Sequence, residues 1–281
     1  MAKWKTYSLL AILTVFLVYL GRILGGPDGM LIALILAGTL NFISYWYSDK
    51  IVLRMYRARE IKPDEYPELH EIVADLAMRA GVKKPRIFLI PTNHPNAFAT
   101  GRDPEHASVA VTTGILKILS REELRGVLAH EMSHVKNYDI LIGTVAATLA
   151  GAITYLAYMF RWASLFGLGD EDERGNFLVA FLISLLAPIA AMLIQLAISR
   201  QREYLADETG AKLIGNPEPL ANALRKLAYG ASKVPLEANP ATEHLFIVAP
   251  FKGSGVWSLF STHPPIEKRI NRLLSLKIGG R

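Results

Sequence analysis

Four charge-free apolar runs limit what this chain of 281 residues can fold into more than any other feature. They are Thr6 to Gly21, Gly29 to Ser48, Ile140 to Phe160 and Phe177 to Ser199. A helix needs about 20 mostly apolar residues to cross roughly 30 Å of hydrocarbon, and the last three runs meet that outright. The first is shorter, but Arg22 can snorkel and Ile23 and Leu24 extend it. Uncharged stretches of this length are rare in water-soluble cores, so the runs read as transmembrane helices over 6–24, 29–48, 140–160 and 177–199. No small-residue cleavage site follows Leu20, so the first run reads as a retained anchor.

The flanking charges set an orientation. Lys3 and Lys5 precede the first run; Lys50, Arg54, Arg57 and Arg59 follow the second; Arg200 and Arg202 follow the fourth. The opposite side carries a short loop with Arg22 and Asp28, and an acidic loop, residues 169–174. Cations gather on the cytoplasmic side of membrane proteins, which predicts that the N-terminus, segment 49–139 and segment 200–281 are cytoplasmic. The chain is then a multi-pass protein of the cell (inner or plasma) membrane. Its net charge of +6 serves anchoring beside anionic headgroups, so the lipid bilayer is one partner. No basic run is interleaved with aromatics, so nucleic acid is not a partner. The absence of cysteine excludes a disulfide scaffold, a thiolate metal site and a cysteine nucleophile. A metal site must use histidines and carboxylates.

The water-exposed segments mix α and β. Pro67 opens an amphipathic helix with Leu69, Ile72, Val73, Leu76 and Ala80 on one face, ended by Gly81. Arg86–Ile90 and Ser108–Thr112 read as short strands, with Asn96-Ala97-Phe98-Ala99 between them. Ser120 and Glu123 form a capping box for a helix through Leu124, Val127, Leu128 and Val135. Segment 200–281 begins as a helix continuing from the fourth run, then becomes Pro- and Gly-rich from Gly230 to Pro265.

Chemistry enters with His130-Glu131-Met132-Ser133-His134 inside the capped helix. At about 100° per residue the two histidines stand some 40° apart, one turn from each other on one face. Two imidazoles so placed can reach one tetrahedral zinc at about 2.0–2.1 Å. Glu131 is offset beside the metal, where a general base for an attacking water must stand. The pattern also matches bystanders, and here the capping box supplies the helix it requires. Zinc needs a third protein ligand, with the fourth position left for water. Glu203, in Glu203-Tyr204-Leu205-Ala206-Asp207 just past the fourth run, is the best candidate, with Glu208 as the fallback. Two membrane crossings between His134 and Glu203 bring the chain back to the same side. Asp207, one turn on, could hold a ligand histidine by its free N–H. His70, His94, His106 and His244 read as structural or solvated rather than as ligands.

These motifs, with Asn137 and Asp139 after the helix, Thr262-His263-Pro264-Pro265, Arg269 and the stretch Asn96 to Gly101, resemble the HtpX-type membrane zinc metalloproteases, relatives of the CAAX prenyl protease. The resemblance spans nearly the whole chain. It implies an α+β membrane protein: four transmembrane helices plus a cytoplasmic catalytic domain of zincin-like (gluzincin) type with a small β-sheet, split between segments 49–139 and 200–281. It implies an endopeptidase of membrane protein quality control, holding one Zn(2+) per chain on His130, His134 and Glu203, with Glu131 catalytic. His263 is implied near the site, where it could stabilise the oxyanion. Arg269, Asp207, Asn96, Ala97 and Phe98 are implied as supporting or substrate-binding residues. The acidic loop 169–174 receives no role from it.

Polypeptides, membrane proteins foremost, are the expected substrates. They could bind as an added strand along an edge near Ala97–Thr100 or Ser108–Thr112, because backbone pairing tolerates any sequence. Two other readings compete. A CAAX-type processing peptidase would share the catalytic residues but usually carries more spans. A non-catalytic scaffold braced by zinc would need neither Glu131 nor an open coordination position.

Overall fold

The computed structural model describes residues 2–146, 148, 200–233, 245–248 and 264–278. Most of the run 140–160, all of 177–199, the acidic loop, His244 and His263 lie outside the described residues. The first helix, α1 (Ala2–Met55), doubles back on itself. Gly26 adopts a left-handed φ of 61°, Pro27 follows it, and the two arms then run side by side. Asn41 Nδ2 donates to Thr14 Oγ1 at 2.7 Å, and the rings of Tyr7 and Tyr45 stack at 6.4 Å. Gly21 and Gly29 allow the close approach, since a Cβ on Gly21 would strike the Gly29 carbonyl.

Thr6–Ile23 and Gly26–Met55 are each long and apolar enough to cross a membrane. Val15, Leu31, Ile32, Ile35, Leu36 and Phe42 are more than half exposed on these arms, a continuous apolar surface that suits lipid. The second arm extends seven residues beyond the expected boundary at Ser48. Asp49, Lys50 and Arg54 end the apolar run without ending the helix, and Val52 and Leu53 pack against Phe88, Ile90, Phe98 and Ala110.

Beyond α1, a four-stranded mixed sheet forms from β1 (Arg59–Glu60), β2 (Arg86–Ile90), β3 (Ala97–Gly101) and β4 (Ala107–Thr112). Its order is β1-β2-β4-β3, with β2 parallel to β4 and the other pairs antiparallel. One expectation is corrected here: Ser108–Thr112 lies inside β4, paired on both sides, and offers no edge. Among the described residues β3 ends the sheet on that side, with the outward N–H groups of Ala99 and Gly101 donating to Glu131 Oε2 and Thr144 Oγ1. Alternation divides the sheet residues between two faces. Ile87, Leu89, Ala97, Ala99, Val109 and Val111 join the main core; Phe88, Ile90, Phe98 and Ala110 pack with Val52 and Leu53 on the other face.

The main core is closed by α2 (Pro67–Ala80), α3 (Thr113–Ile118), α4 (Arg121–Lys136), α5 (Arg200–Ile214), α6 (Glu218–Lys233) and α7 (Ile266–Leu274). The punctuation of α2 and α4 is as the sequence predicts. Pro67 opens α2, and Gly81 ends it at a left-handed φ of 70°. Both halves of the Ser120–Glu123 capping box are made, and Glu123 also accepts from Lys226 Nζ at 2.7 Å, tying α4 to α6. Burial of Leu128, Met132, Leu220, Leu224 and Leu227 stabilises this packing by roughly 1.5–3 kcal/mol per side chain relative to exposure.

Candidate active site

Three side chains converge from two helices. His130 and His134 lie one turn apart on α4, and Glu203 stands in the first turn of α5. Glu203, Asp207 and Gly210 follow one another at helical spacing, so a single stripe of α5 faces α4. Gly210 sets how closely: a Cβ there would sit 2.9 Å from the His130 backbone nitrogen. Only a residue without a side chain lets the helices meet at that point.

The ligand-type atoms of the three residues all lie within 4.8 Å of one another. His130 Nε2 is 3.2 Å from His134 Nε2, and Glu203 carboxylate oxygens lie 3.7 Å and 3.5 Å from these two nitrogens. Tetrahedral coordination at about 2.0–2.1 Å requires ligand atoms about 3.3 Å apart. With one oxygen of Glu203 on each imidazole, the cluster is of a size that a first-row divalent ion can draw together. Two imidazole nitrogens facing each other this closely are suited to share a cation. The donor set, two histidines and one carboxylate, is a common zinc set that leaves a fourth position to water or substrate.

Each histidine is backed at its other nitrogen. Asp207 Oδ1 lies 3.0 Å from His130 Nδ1, in ionic contact though off the ideal hydrogen-bond line. Asp139 Oδ2 bonds His134 Nδ1 at 3.3 Å. Such carboxylates fix the ring orientation and leave Nε2 for the metal. Burial opposes a charge on His134, but the bonds to Asp139 and Glu203 outweigh it and push its pKa up to about 10. Burial also penalises ionised Asp207, yet the adjacent Arg269 overrides it and holds the carboxyl below its usual range. Arg269 is fully buried; it reaches Asp207 with Nε at 2.9 Å and Nη2 at 2.7 Å, and Glu203 with Nη1 at 3.5 Å.

Glu131, the neighbour of His130, is buried and points elsewhere. Its Oε2 accepts from the Ala99 N–H at 2.9 Å, on the side of β3 turned away from β4. Burial raises its pKa above the usual glutamate value, against the opposing pull of the two histidines. A carboxylate of this kind can take a proton and hand it on.

The remaining predicted residues fall into distinct places. Asn96 is buried and clamps the stretch 245–248: its Nδ2 donates to the Leu245 carbonyl at 3.2 Å, and its Oδ1 accepts from the Ile247 N–H at 3.1 Å. Ile247 in turn accepts from Arg269 Nη1 at 3.2 Å. Ala97 packs in the main core. Phe98 points to the opposite sheet face, with its ring 5.8 Å from Tyr56. The fallback ligand Glu208 pairs with Lys212 at 2.7 Å, outside the cluster. His70 bonds the Ile61 carbonyl and is structural; His94, expected in a polar turn, is buried against the Phe246 ring at 5.6 Å. The sequence reading quoted Asp139 in the motif and Arg202 as a flanking cation but gave neither a role at the site. Their signal was position, at the two ends of the excursion between His134 and Glu203.

A helix-borne pair of histidines, a returning glutamate and an adjacent buried carboxylate define a metalloprotease-type centre. The sequence profile described as Peptidase family M48 matches residues 63–277. The chain belongs to this family of metalloproteases and, within it, to the HtpX-type proteases. It is 58% identical to the Protease HtpX homolog of Pyrococcus furiosus over 279 residues, covering 98% of this chain and 96% of that one. Identity with the Protease HtpX homolog of Desulforapulum autotrophicum is 56% over 274 residues, 96% of this chain and 89% of the relative. Among solved structures, S. mikatae Ste24p shares the fold, with a TM-score of 0.54 at 18% identity over 96% of this chain and 66% of that chain. The protein is thus a membrane metalloprotease that acts on polypeptides and requires a metal ion.

Proposed function

We propose that this chain is a zinc-dependent endopeptidase that hydrolyses misfolded or damaged membrane proteins on the cytoplasmic side of the cell membrane. The observation that carries the reading is the His130–His134–Glu203 cluster, its ligand-type atoms within 4.8 Å of one another, beside a base held by Ala99. In this reading the zincin-like catalytic part is assembled from segments 49–139 and 200–281, and four membrane helices carry it, two of them the runs 140–160 and 177–199.

Zinc held by the three side chains supplies Lewis-acid chemistry, acidifying water and polarising a carbonyl oxygen. The protein groups do the rest. Asp207 and Asp139 keep Nδ1 of each histidine engaged, so both Nε2 atoms face inward. The Ala99 N–H holds Oε2 of Glu131, leaving Oε1 to take the proton of the attacking water and pass it to the leaving amine. His263 serves as an oxyanion donor, a contribution of about 3–4 kcal/mol in comparable sites. The β3 edge receives the substrate as an added strand through the outward backbone groups that Glu131 and Thr144 leave open, with Asn96 and Ala97 framing its start. Pairing through backbone suits an enzyme that must accept many unfolded sequences.

Metal analysis of the detergent-purified full chain, beside cleavage of an unfolded protein, tests the reading. One zinc per chain is expected, and Glu131→Gln is expected to keep that zinc while losing about 10²–10⁴-fold in rate. Glu203→Ala is expected to lose most of the metal. Cleavage surviving in Glu131→Gln, or metal unchanged in Glu203→Ala, overturns the assignment. Because the chain has no cysteine, a single cysteine placed at Gly169 reports orientation directly. Labelling from the cytoplasmic side there would refute the topology.

A further inference from the structure

Asp139 stands where the catalytic helix gives way to the first residues of the apolar run 140–160. The transition is abrupt. Tyr138 takes a left-handed φ of 61°, uncommon for a residue with a side chain, and residues 139–146 are helical again. This kink turns the Asp139 carboxylate, about nine-tenths buried, back toward α4. One oxygen meets His134 Nδ1 at 3.3 Å. The other accepts from Arg202 Nη1, also at 3.3 Å. Arg202 belongs to the first turn of α5, three residues after the run 177–199 and directly before Glu203. One carboxylate thus touches a ligand-type histidine on one side, and on the other an arginine from the helix that carries the third ligand.

We propose that Asp139 is a positioning residue for the metal centre and that Arg202 holds it in place, so that the grip of His134 depends on the helix entering the run 140–160 staying beside the helix leaving the run 177–199. The inference rests on His134 being a metal ligand, as in the proposed function. Asp207 does the corresponding work for His130, but its partner Arg269 comes from α7, whereas the Asp139 arm joins residues at the ends of the runs 140–160 and 177–199. If those two helices part, Asp139 is drawn from His134, the ring is free to turn, and the metal loosens. In this scheme Arg202 acts through Asp139.

The test measures the zinc dissociation constant of the full chain in detergent by chelator competition. Asp139→Asn is expected to weaken zinc about 10–100-fold, the usual cost of losing such a support. Arg202→Gln is expected to weaken it about 3–30-fold, with Arg202→Lys recovering most of the loss. The double variant Asp139→Asn/Arg202→Gln is expected to bind no more than about threefold worse than Asp139→Asn alone. A purely structural pair predicts lower melting temperatures with zinc affinity unmoved, or losses that multiply, and either result overturns the proposal. Arg202→Gln leaves His130, His134 and Glu203 themselves in place, so it decides the matter if Asp139→Asn fails to fold. His134→Ala separates the two levels: zinc retained there refutes the ligand assignment itself, whereas zinc lost there with Arg202→Gln unchanged refutes only the latch.

Discussion

Arg269 grips Asp207 through two nitrogens at 2.9 and 2.7 Å, and the same Asp207 stands 3.0 Å behind His130. The guanidinium of the last described helix thus backs His130 through Asp207 and also lies 3.5 Å from His130 Nε2 itself, in a spot closed to water. Replacing Arg269 by Met strands a buried carboxylate, and breaking such a pair costs about 3–5 kcal/mol. A fall in melting temperature in detergent and weaker zinc binding are expected. Arg269→Lys is expected to recover only part, because an ammonium cannot match the planar two-point contact. A Met variant as stable as the parent would contradict this.

Two glycines separate packing at the site from packing elsewhere. Gly210 faces the His130 backbone, while Gly126 faces the Leu220 nitrogen, where an added Cβ would lie 2.7 Å away. Alanine at either position is expected to destabilise by about 1–3 kcal/mol, as overpacking does. Only Gly210→Ala is expected to reduce zinc affinity as well, since it levers Glu203 away from the histidines. Thermal melts and chelator titrations of both variants check the contrast, and equal zinc affinities would contradict it.

Asn96→Ala removes a donor from the Leu245 carbonyl and an acceptor from the Ile247 N–H. Each buried group left unsatisfied costs about 1–3 kcal/mol. Limited proteolysis is expected to cut near residues 245–248 faster than in the parent. Asn96→Asp keeps the acceptor and is expected to fall between the two.

A proton and a metal ion compete for His134. With its pKa raised to about 10, His134 must release a proton to bind metal, so apparent zinc affinity is expected to climb about tenfold per pH unit between pH 7 and 9. The same shift stabilises the metal-stripped fold. A raised folded-state pKa contributes fully below the unfolded value near 6.5, and that stability is lost as pH rises toward 10. Stripped protein is thus expected to melt lower at pH 9.5 than at pH 6.5. Affinity flat across this range would remove the protonated histidine from the account.

Local signals in the sequence carried well. Pro67, Gly81 and the Ser120–Glu123 box fixed the ends of α2 and α4, because caps and turns act over three or four residues. Glu203, which lies beside the two histidines, was singled out by an argument about which carboxylates could return to them. Non-local pairing was not readable. Nothing in Ala97 to Gly101 announces an edge strand, and nothing in Ser108–Thr112 says that both its sides are taken. Asp139 carried only its place in the pattern, since its role depends on Arg202, 63 residues away.

The reversal at Gly26 has a consequence for how the enzyme is inserted. A chain that enters the bilayer and folds back leaves its N-terminus and its proteolytic half in the same compartment, whichever way the pair is threaded. Whatever inverts those first two arms during insertion would carry the hydrolytic machinery across with them. In the proposed topology the cations flanking the pair, Lys3 and Lys5 before it and Lys50 and Arg54 after it, set in a single decision the side of the cell on which proteins are cut.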